Sequence, residues 1–400
     1  MNTEENRMLK NAMKYELASS SWDDKEIEAI QSVIARNNYT MGDSVKQFEK
    51  DFAKFTGNKY CVMVNSGSSA NLLEIAAMFF KSENPLKRGD EVIVPAVSWA
   101  TTYYPLYQYG LKLKFVDVDK YTLNFDIEEL KKAVTDKTRL IYAVNLLGNP
   151  NDYNAINEII KDKNIYLLED NCESLGGVYK GKQLGSIGLM GSYSTFFSHH
   201  MATMEGGLIG TDDEELYHIL LSIRSHGWTR HLPFENKLCK KSNNPFEESF
   251  RFILPGYNVR PVEMMGAIGV EQLKKLPEFL YWRRENAKYF QELFGNDDRF
   301  IIQKEIETSS WFGFSFLINE NSGIKRENVI KALTDANIDT RPIVAGNFAR
   351  KEVVKWFDYE ILGDLPNSDY VDKNGFFVGN HQFDIKDKLD YLKRILNNVK

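Results

Sequence analysis

Between residues 60 and 211 the chain alternates short apolar runs with stretches whose apolar positions recur every three to four residues. The runs fall at 60–64, 91–95, 113–118, 139–144, 165–169, 192–197 and 207–211. They are short for helices, and too continuously apolar for strands with one wet face. Strands covered by helices on both faces carry this pattern. The spacing therefore predicts an α/β unit built on a mostly parallel, seven-stranded sheet. Upstream, residues 1–20 read as a polar, helical arm. The Ser21-Trp22-Asp23-Asp24 stretch reads as a helix cap ahead of Ile27, Ile30, Val33 and Ile34. An amphipathic helix over 45–55 stops at Gly57. Downstream, 212–235 reads as helix and 235–248 as a polar loop. A turn-rich passage at 254–261 leads into a long helix from about 262 to 294. A strand at 314–318 and a helix at 326–336 then predict a smaller α+β unit. The expected division is a large domain with its N-terminal arm, 1–265, and a small C-terminal domain, 266–400.

Composition narrows the function classes. A chain of 400 residues that is 43% hydrophobic can bury a sizeable core. Its net charge of −6 argues against a nucleic-acid binder that works by bulk positive charge. No apolar run reaches the length that spans a bilayer, and the first ten residues lack the apolar stretch of a signal peptide. A reducing cytoplasm is the expected setting. Cys61, Cys172 and Cys239 lie far apart, form no CxxC pair and cannot supply four thiolates to a zinc ion or an iron–sulfur cluster. No metal is expected.

Several positions at predicted strand ends can carry chemistry. The run Ser66-Gly67-Ser68-Ser69-Ala70 opens a helix, where backbone N–H groups and the helix dipole favour a phosphate. Read alone it is equally a capping turn. Trp99 lies just beyond a strand end and suits stacking on a flat ring, or plain core packing. Asp170 ends an apolar strand; there an acid can hold a proton on a heteroaromatic nitrogen, or cap a helix. Ser194 and Asn258 are further phosphate candidates, or ordinary turn residues. His199 and His200 stand side by side before Glu205-Gly206-Gly207, and an imidazole near neutral pH transfers protons. A phosphate cradle, a ring stack, a partner for a pyridine nitrogen and a special residue at 199, in this order, describe a pyridoxal phosphate (PLP) site.

With those motifs in place, the chain resembles the DegT/StrS family of sugar aminotransferases, within the fold-type I PLP enzymes, over residues 15–400. The resemblance implies the family fold and a dimer with shared active sites. That family keeps a lysine in a Lys-x-x-x-x-x-Glu-Gly-Gly context and bonds the coenzyme through it. Six residues before Glu205 stands His199, and no lysine occurs between Lys182 and Lys237. An imidazole cannot form the stable imine a lysine forms. The exchange resembles the 3-dehydratase branch, which makes 3,6-dideoxysugars with PLP or pyridoxamine phosphate (PMP) held without a covalent bond. One kind in that branch acts on CDP-4-keto-6-deoxyglucose and needs a [2Fe–2S] cluster. The other acts on GDP-4-keto-6-deoxymannose and uses L-glutamate as amino donor. The loop before 254–261 holds only Cys239, which points to the glutamate-dependent kind, without a cluster.

The resemblance further implies His199 as the catalytic base and Gly67, Ser68, Trp99, Asp170, Glu173, Ser194 and Asn258 around the coenzyme, with Asn258 reaching across from a partner subunit and Glu173 reading equally as a helix-surface acid. His226, Arg230 and Arg341 are implied as ligands of the nucleotide-linked sugar or of glutamate, each with an ordinary fold contact as the alternative. The expected reaction is loss of the C3 hydroxyl, giving a 4-keto-3,6-dideoxysugar and ammonia, a lyase activity of O-antigen or capsule synthesis. A 4-ketosugar aminotransferase and a non-catalytic coenzyme-binding homologue are the competing readings.

Overall fold

The computed structural model describes residues 13–399. Two helices come first: α1 (Asp24–Arg36) and α2 (Asp43–Thr56). Asp23 caps α1 and accepts from Lys25 N, while Glu26 reaches back to the cap backbone, so two otherwise orphaned donors are satisfied. The strand β1 (Tyr60–Val64) leads into α3 (Gly67–Met78), capped by Ser66. Then follow β2 (Glu91–Pro95), α4 (Ala100–Gln108), β3 (Lys112–Val116), β4 (Thr138–Val144), β5 (Tyr166–Asp170), β6 (Met190–Ser194) and β7 (Gly207–Thr211). A 32-residue helix, α5 (Glu263–Phe294), connects to β8 (Phe300–Ile302), β9 (Gly313–Ile318), β10 (Tyr359–Ile361) and β11 (Gly375–Gly379).

The main sheet has the order β1-β7-β6-β5-β4-β2-β3-β10. β7 runs antiparallel to both neighbours and every other pairing is parallel. Strands β2 and β7 are buried at every residue, as helices on both faces require. The seven expected strands are present, and β10 adds an eighth from the C-terminal third of the chain. Its three residues, among charged neighbours, give no apolar run; parallel pairing with β3 holds them in the sheet. The C-terminal unit is an antiparallel β8-β9-β11 sheet packed on α5. Phe290 of α5 stacks on Phe314 with centroids 4.3 Å apart, and Phe316 stacks on Phe376 at 5.1 Å.

Two stretches differ from expectation. Residues 1–12 of the expected helical arm lie outside the described residues, and 13–20 are extended rather than helical. Tyr15 exchanges backbone hydrogen bonds with Asn337 and Asp339, and that pairing takes up the donor and acceptor a helix would use. The helix expected over 212–235 ends at Ile223. His226 and Gly227 both adopt positive φ, and a Cβ on Gly227 would lie 1.6 Å from the Leu254 carbonyl oxygen. The chain must turn there, and glycine permits it.

Candidate active site

The carboxyl ends of β1, β5 and β6 converge above the sheet, where ligands of open α/β sheets bind. They open into a cavity of about 690 Å³. Of the residues singled out by sequence, Gly67, Ser68, Trp99, Asp170, Glu173, Ser194, His199 and Arg341 line it. They come from α3, β5, β6 and the connecting segments and span 275 positions of the chain, from 67 to 341.

Gly67 is the first residue of α3 and faces Ser194 at the end of β6. A Cβ on Gly67 would lie 2.6 Å from Ser194 Cβ and 3.0 Å from Cys172 Sγ. The helix N-terminus and the Ser194 hydroxyl thus share a corner that any side chain at 67 would fill. Ser68 Oγ donates to Thr101 Oγ1 at 3.2 Å, joining this corner to the start of α4. Trp99 precedes α4 and is 58% exposed, so its ring is open for stacking.

Asp170 is 5% exposed, and three donors converge on it. Asn71 Nδ2 and Thr102 Oγ1 each donate to Oδ2 at 2.8 Å, and the Cys172 N–H donates to Oδ1 at 3.1 Å. Ser192 Oγ in turn donates to Asn71 Oδ1, and Ser98 Oγ bonds the Thr102 hydroxyl at 2.8 Å. Asn71 and Thr102 were not singled out from sequence. Asn71 is one helical turn past Gly67, and a polar residue on that buried helical face was the available signal. Glu173 accepts from Leu147 N–H at 3.1 Å. Enclosure by protein pushes its carboxyl up to about 7, although one side of the group opens to the cavity.

His199 follows β6 in a loop closed at its neck. Thr195 N–H donates to Gly206 O at 2.9 Å, Thr203 N–H donates to Thr195 O at 2.8 Å, and the two threonine hydroxyls bond each other. The His199 ring lies edge-on to Phe312, and its buried Nδ1 has no partner among the described residues. Burial, aided by the Arg283 guanidinium, lowers His199 to about 4, so the imidazole is neutral at physiological pH. His200 points away from the cavity: it is buried, and its Nε2 bonds the Ser310 carbonyl at 3.1 Å.

Asn258, His226 and Arg230 do not line the cavity of their own chain. Asn258 accepts from Arg260 Nε at 3.0 Å, and the Arg230 and Arg260 guanidinium groups both lie over the Trp228 ring. Beside them Phe246, Phe250 and Phe252 are exposed. Among the described residues no three His, Cys, Asp or Glu side chains are grouped to hold a metal ion. No helix there is long and apolar enough to cross a membrane.

The site's residues fit PLP. A corner cleared of side chain suits a phosphate, a buried acid held by three donors suits a pyridine nitrogen, and a neutral imidazole stands beside them. Comparison with known proteins agrees. The model of the DegT/DnrJ/EryC1/StrS aminotransferase family matches residues 20–383. The chain is 60% identical to GDP-4-keto-6-deoxy-D-mannose 3-dehydratase of Yersinia pseudotuberculosis, over 97% of this chain and all of the relative. Among solved structures, GDP-4-keto-6-deoxymannose-3-dehydratase with a trapped PLP-glutamate geminal diamine superposes with a TM-score of 0.95 at 59% identity, covering 96% of this chain and 100% of that one. A variant of the same enzyme with bound GDP-perosamine matches at the same TM-score, identity and coverage.

Proposed function

We propose that this chain, which belongs to the DegT/DnrJ/EryC1/StrS aminotransferase family, is a PLP-dependent 3-dehydratase of GDP-4-keto-6-deoxymannose with L-glutamate as co-substrate. The observation that carries the reading is a neutral imidazole, His199, lining a PLP-type cavity in which the family's lysine is missing. The relatives that share nearly the whole chain carry the same activity in their names.

When bound, the coenzyme supplies an amino group taken from glutamate and a ring that stores an electron pair. The protein's own residues do the rest. Gly67, Ser68 and Ser194 would hold the phosphate, Trp99 would stack on the ring, and Glu173 would contact its hydroxyl region. Asp170, which its three donors hold in one orientation, would partner the ring nitrogen. His199 is uncharged and takes a proton at its ring nitrogen without first losing one. It then returns that proton to the departing C3 hydroxyl on the same face. Arg341 supplies the cation for a carboxylate or phosphate. The balance is one 4-keto-6-deoxyhexose and one glutamate giving one 4-keto-3,6-dideoxyhexose, one 2-oxoglutarate and one ammonia.

A second copy of the chain would cover Phe246, Phe250 and Phe252 and bring Asn258, His226 and Arg230 toward its partner's cavity. Their position outside their own cavity, on an exposed aromatic and basic face, supports a homodimer with shared sites. The expected compartment is the cytoplasm.

Purified protein with PLP, L-glutamate and GDP-4-keto-6-deoxymannose tests the reading. Ammonia and a 3-deoxysugar are expected in equal amounts. A stable 4-aminosugar would make the chain an aminotransferase, and turnover restricted to CDP-4-keto-6-deoxyglucose would reassign the nucleotide.

A further inference from the structure

The polar groups of the cavity come mainly from its sheet side, where Val144, Leu146 and Phe196 are the apolar members, and the lining opposite is mostly apolar. An extended strap at 13–22 supplies Leu17 and Ala18, and the C-terminal unit adds Pro342, Val344 and Phe377. Arg341 is the one charged side chain that these two segments contribute.

The strap is fastened along its length. Tyr15 Oη donates to Gly379 O at 2.6 Å, and Ser19 Oγ bonds His381 Nδ1 at 2.8 Å. Gln382 Nε2 donates to Ser20 O at 2.7 Å, and Ser21 Oγ donates to Gln272 Oε1 at 2.6 Å. Trp22 Nε1 donates to Ala202 O at 2.9 Å, in the loop that carries His199. Leu17 therefore sits on a segment held on both sides, lying directly on β11. A Cβ on Gly379 would lie 2.3 Å from the Leu17 carbonyl oxygen. The wall is preformed rather than mobile, which is what a pocket needs in order to discriminate.

Resting on the substrate reading above, a 4-keto-6-deoxyhexose has one carbon that bears no oxygen, the C6 methyl. We propose that Leu17 and Ala18, backed by Val344 and Phe377, seat that methyl group and select 6-deoxy over 6-hydroxy nucleotide sugars. A hydroxyl at C6 would be buried against carbon without a partner. An apolar pocket rejects an added hydroxyl by up to about 100-fold.

The test compares kcat/KM for GDP-4-keto-6-deoxymannose and its 6-hydroxy counterpart, alongside release of 2-oxoglutarate from glutamate without sugar. The wild type should favour the 6-deoxy sugar by about 10- to 100-fold. Leu17→Asn should bring the ratio below about fivefold by offering the hydroxyl a partner. Gly379→Ala should lower it in the same direction by lifting the strap, without altering any lining side chain. Gly379→Ala should release 2-oxoglutarate from glutamate at the wild-type rate. The proposal is overturned if the wild type does not discriminate, or if neither variant changes the ratio. It is also overturned if the variants slow the glutamate step and leave the ratio intact, since the wall would then serve glutamate's methylenes. A wild type that converts glutamate but releases ammonia from neither sugar would instead sink the dehydratase reading itself.

Discussion

Asp170→Asn removes one charge and keeps the shape, so its effect can be worked from the hydrogen bonds. In the wild type every neighbour of the carboxylate is a donor: Asn71 Nδ2 and Thr102 Oγ1 on Oδ2, and Cys172 N–H on Oδ1. An asparagine must turn its own NH₂ toward one of these two sides. Facing Cys172, it sets two donors against each other and leaves a buried N–H unpaired. Facing Oδ2's partners, it requires the Thr102 hydroxyl to rotate and Asn71 to turn over. Asn71 would then turn its amide to Ser192 Oγ and its oxygen toward the Thr101 carbonyl, which loses its donor. Each arrangement leaves about one buried polar group unsatisfied, at about 1–3 kcal/mol. Coenzyme-free Asp170→Asn should therefore unfold at lower urea than the wild type by that amount, with an unchanged m-value. The second effect is chemical. With coenzyme bound, the pH dependence of its absorbance should shift, because the ring nitrogen has lost its anionic partner. A coenzyme-free variant as stable as the wild type would refute the donor convergence. A wild-type absorbance titration would refute Asp170 as the partner of the ring nitrogen.

Two further substitutions test other corners of the cavity. Gly67→Ala places a methyl 2.6 Å from Ser194 Cβ, an overpacking worth about 1–3 kcal/mol; PLP affinity by equilibrium dialysis should fall by about 5- to 150-fold, and unchanged affinity would remove this corner as the phosphate site. Glu173 is raised from 4.5 to about 7 by burial, so it favours the folded state fully below pH 4.5 and loses that contribution as pH rises through about 7. Glu173→Gln has no such loss, and without coenzyme it should gain about 3 kcal/mol relative to the wild type between pH 4.5 and pH 8 in urea titrations; a pH-independent difference would refute a raised carboxyl.

The sheet was legible because strands buried on both faces write continuous apolar runs, and the start of α3 because Ser-Gly-Ser-Ser caps a helix for a local reason. What was not legible depends on contacts between distant segments. Tyr359–Ile361 has no strand pattern, and β3 alone makes it one. Residues 13–20 look like a polar arm until Tyr15 pairs with Asn337 and Asp339. Leu17, Phe312, Val344 and Phe377 enter the cavity from parts of the chain whose local sequence says only that they are apolar. Asn71 and Thr102 have no local signal that links them, yet together they decide how Asp170 is held.

The paired histidines show where local reading stops and burial takes over. Both imidazoles are pushed down from 6.5 by burial, with Arg283 adding to it. Arg283 is itself buried, donates to the carbonyls of Trp311, Phe312 and Asn380, and is lowered to about 10 by the same exclusion of water. Its grip on the Phe312 carbonyl also places the ring that both imidazoles contact. Such surroundings disfavour any cation at position 199. They would hold a lysine amine toward its neutral form as they hold the imidazole. On the proposed function, a lysine-to-histidine exchange here would keep an uncharged base in place and give up the amine's ability to bond the coenzyme covalently.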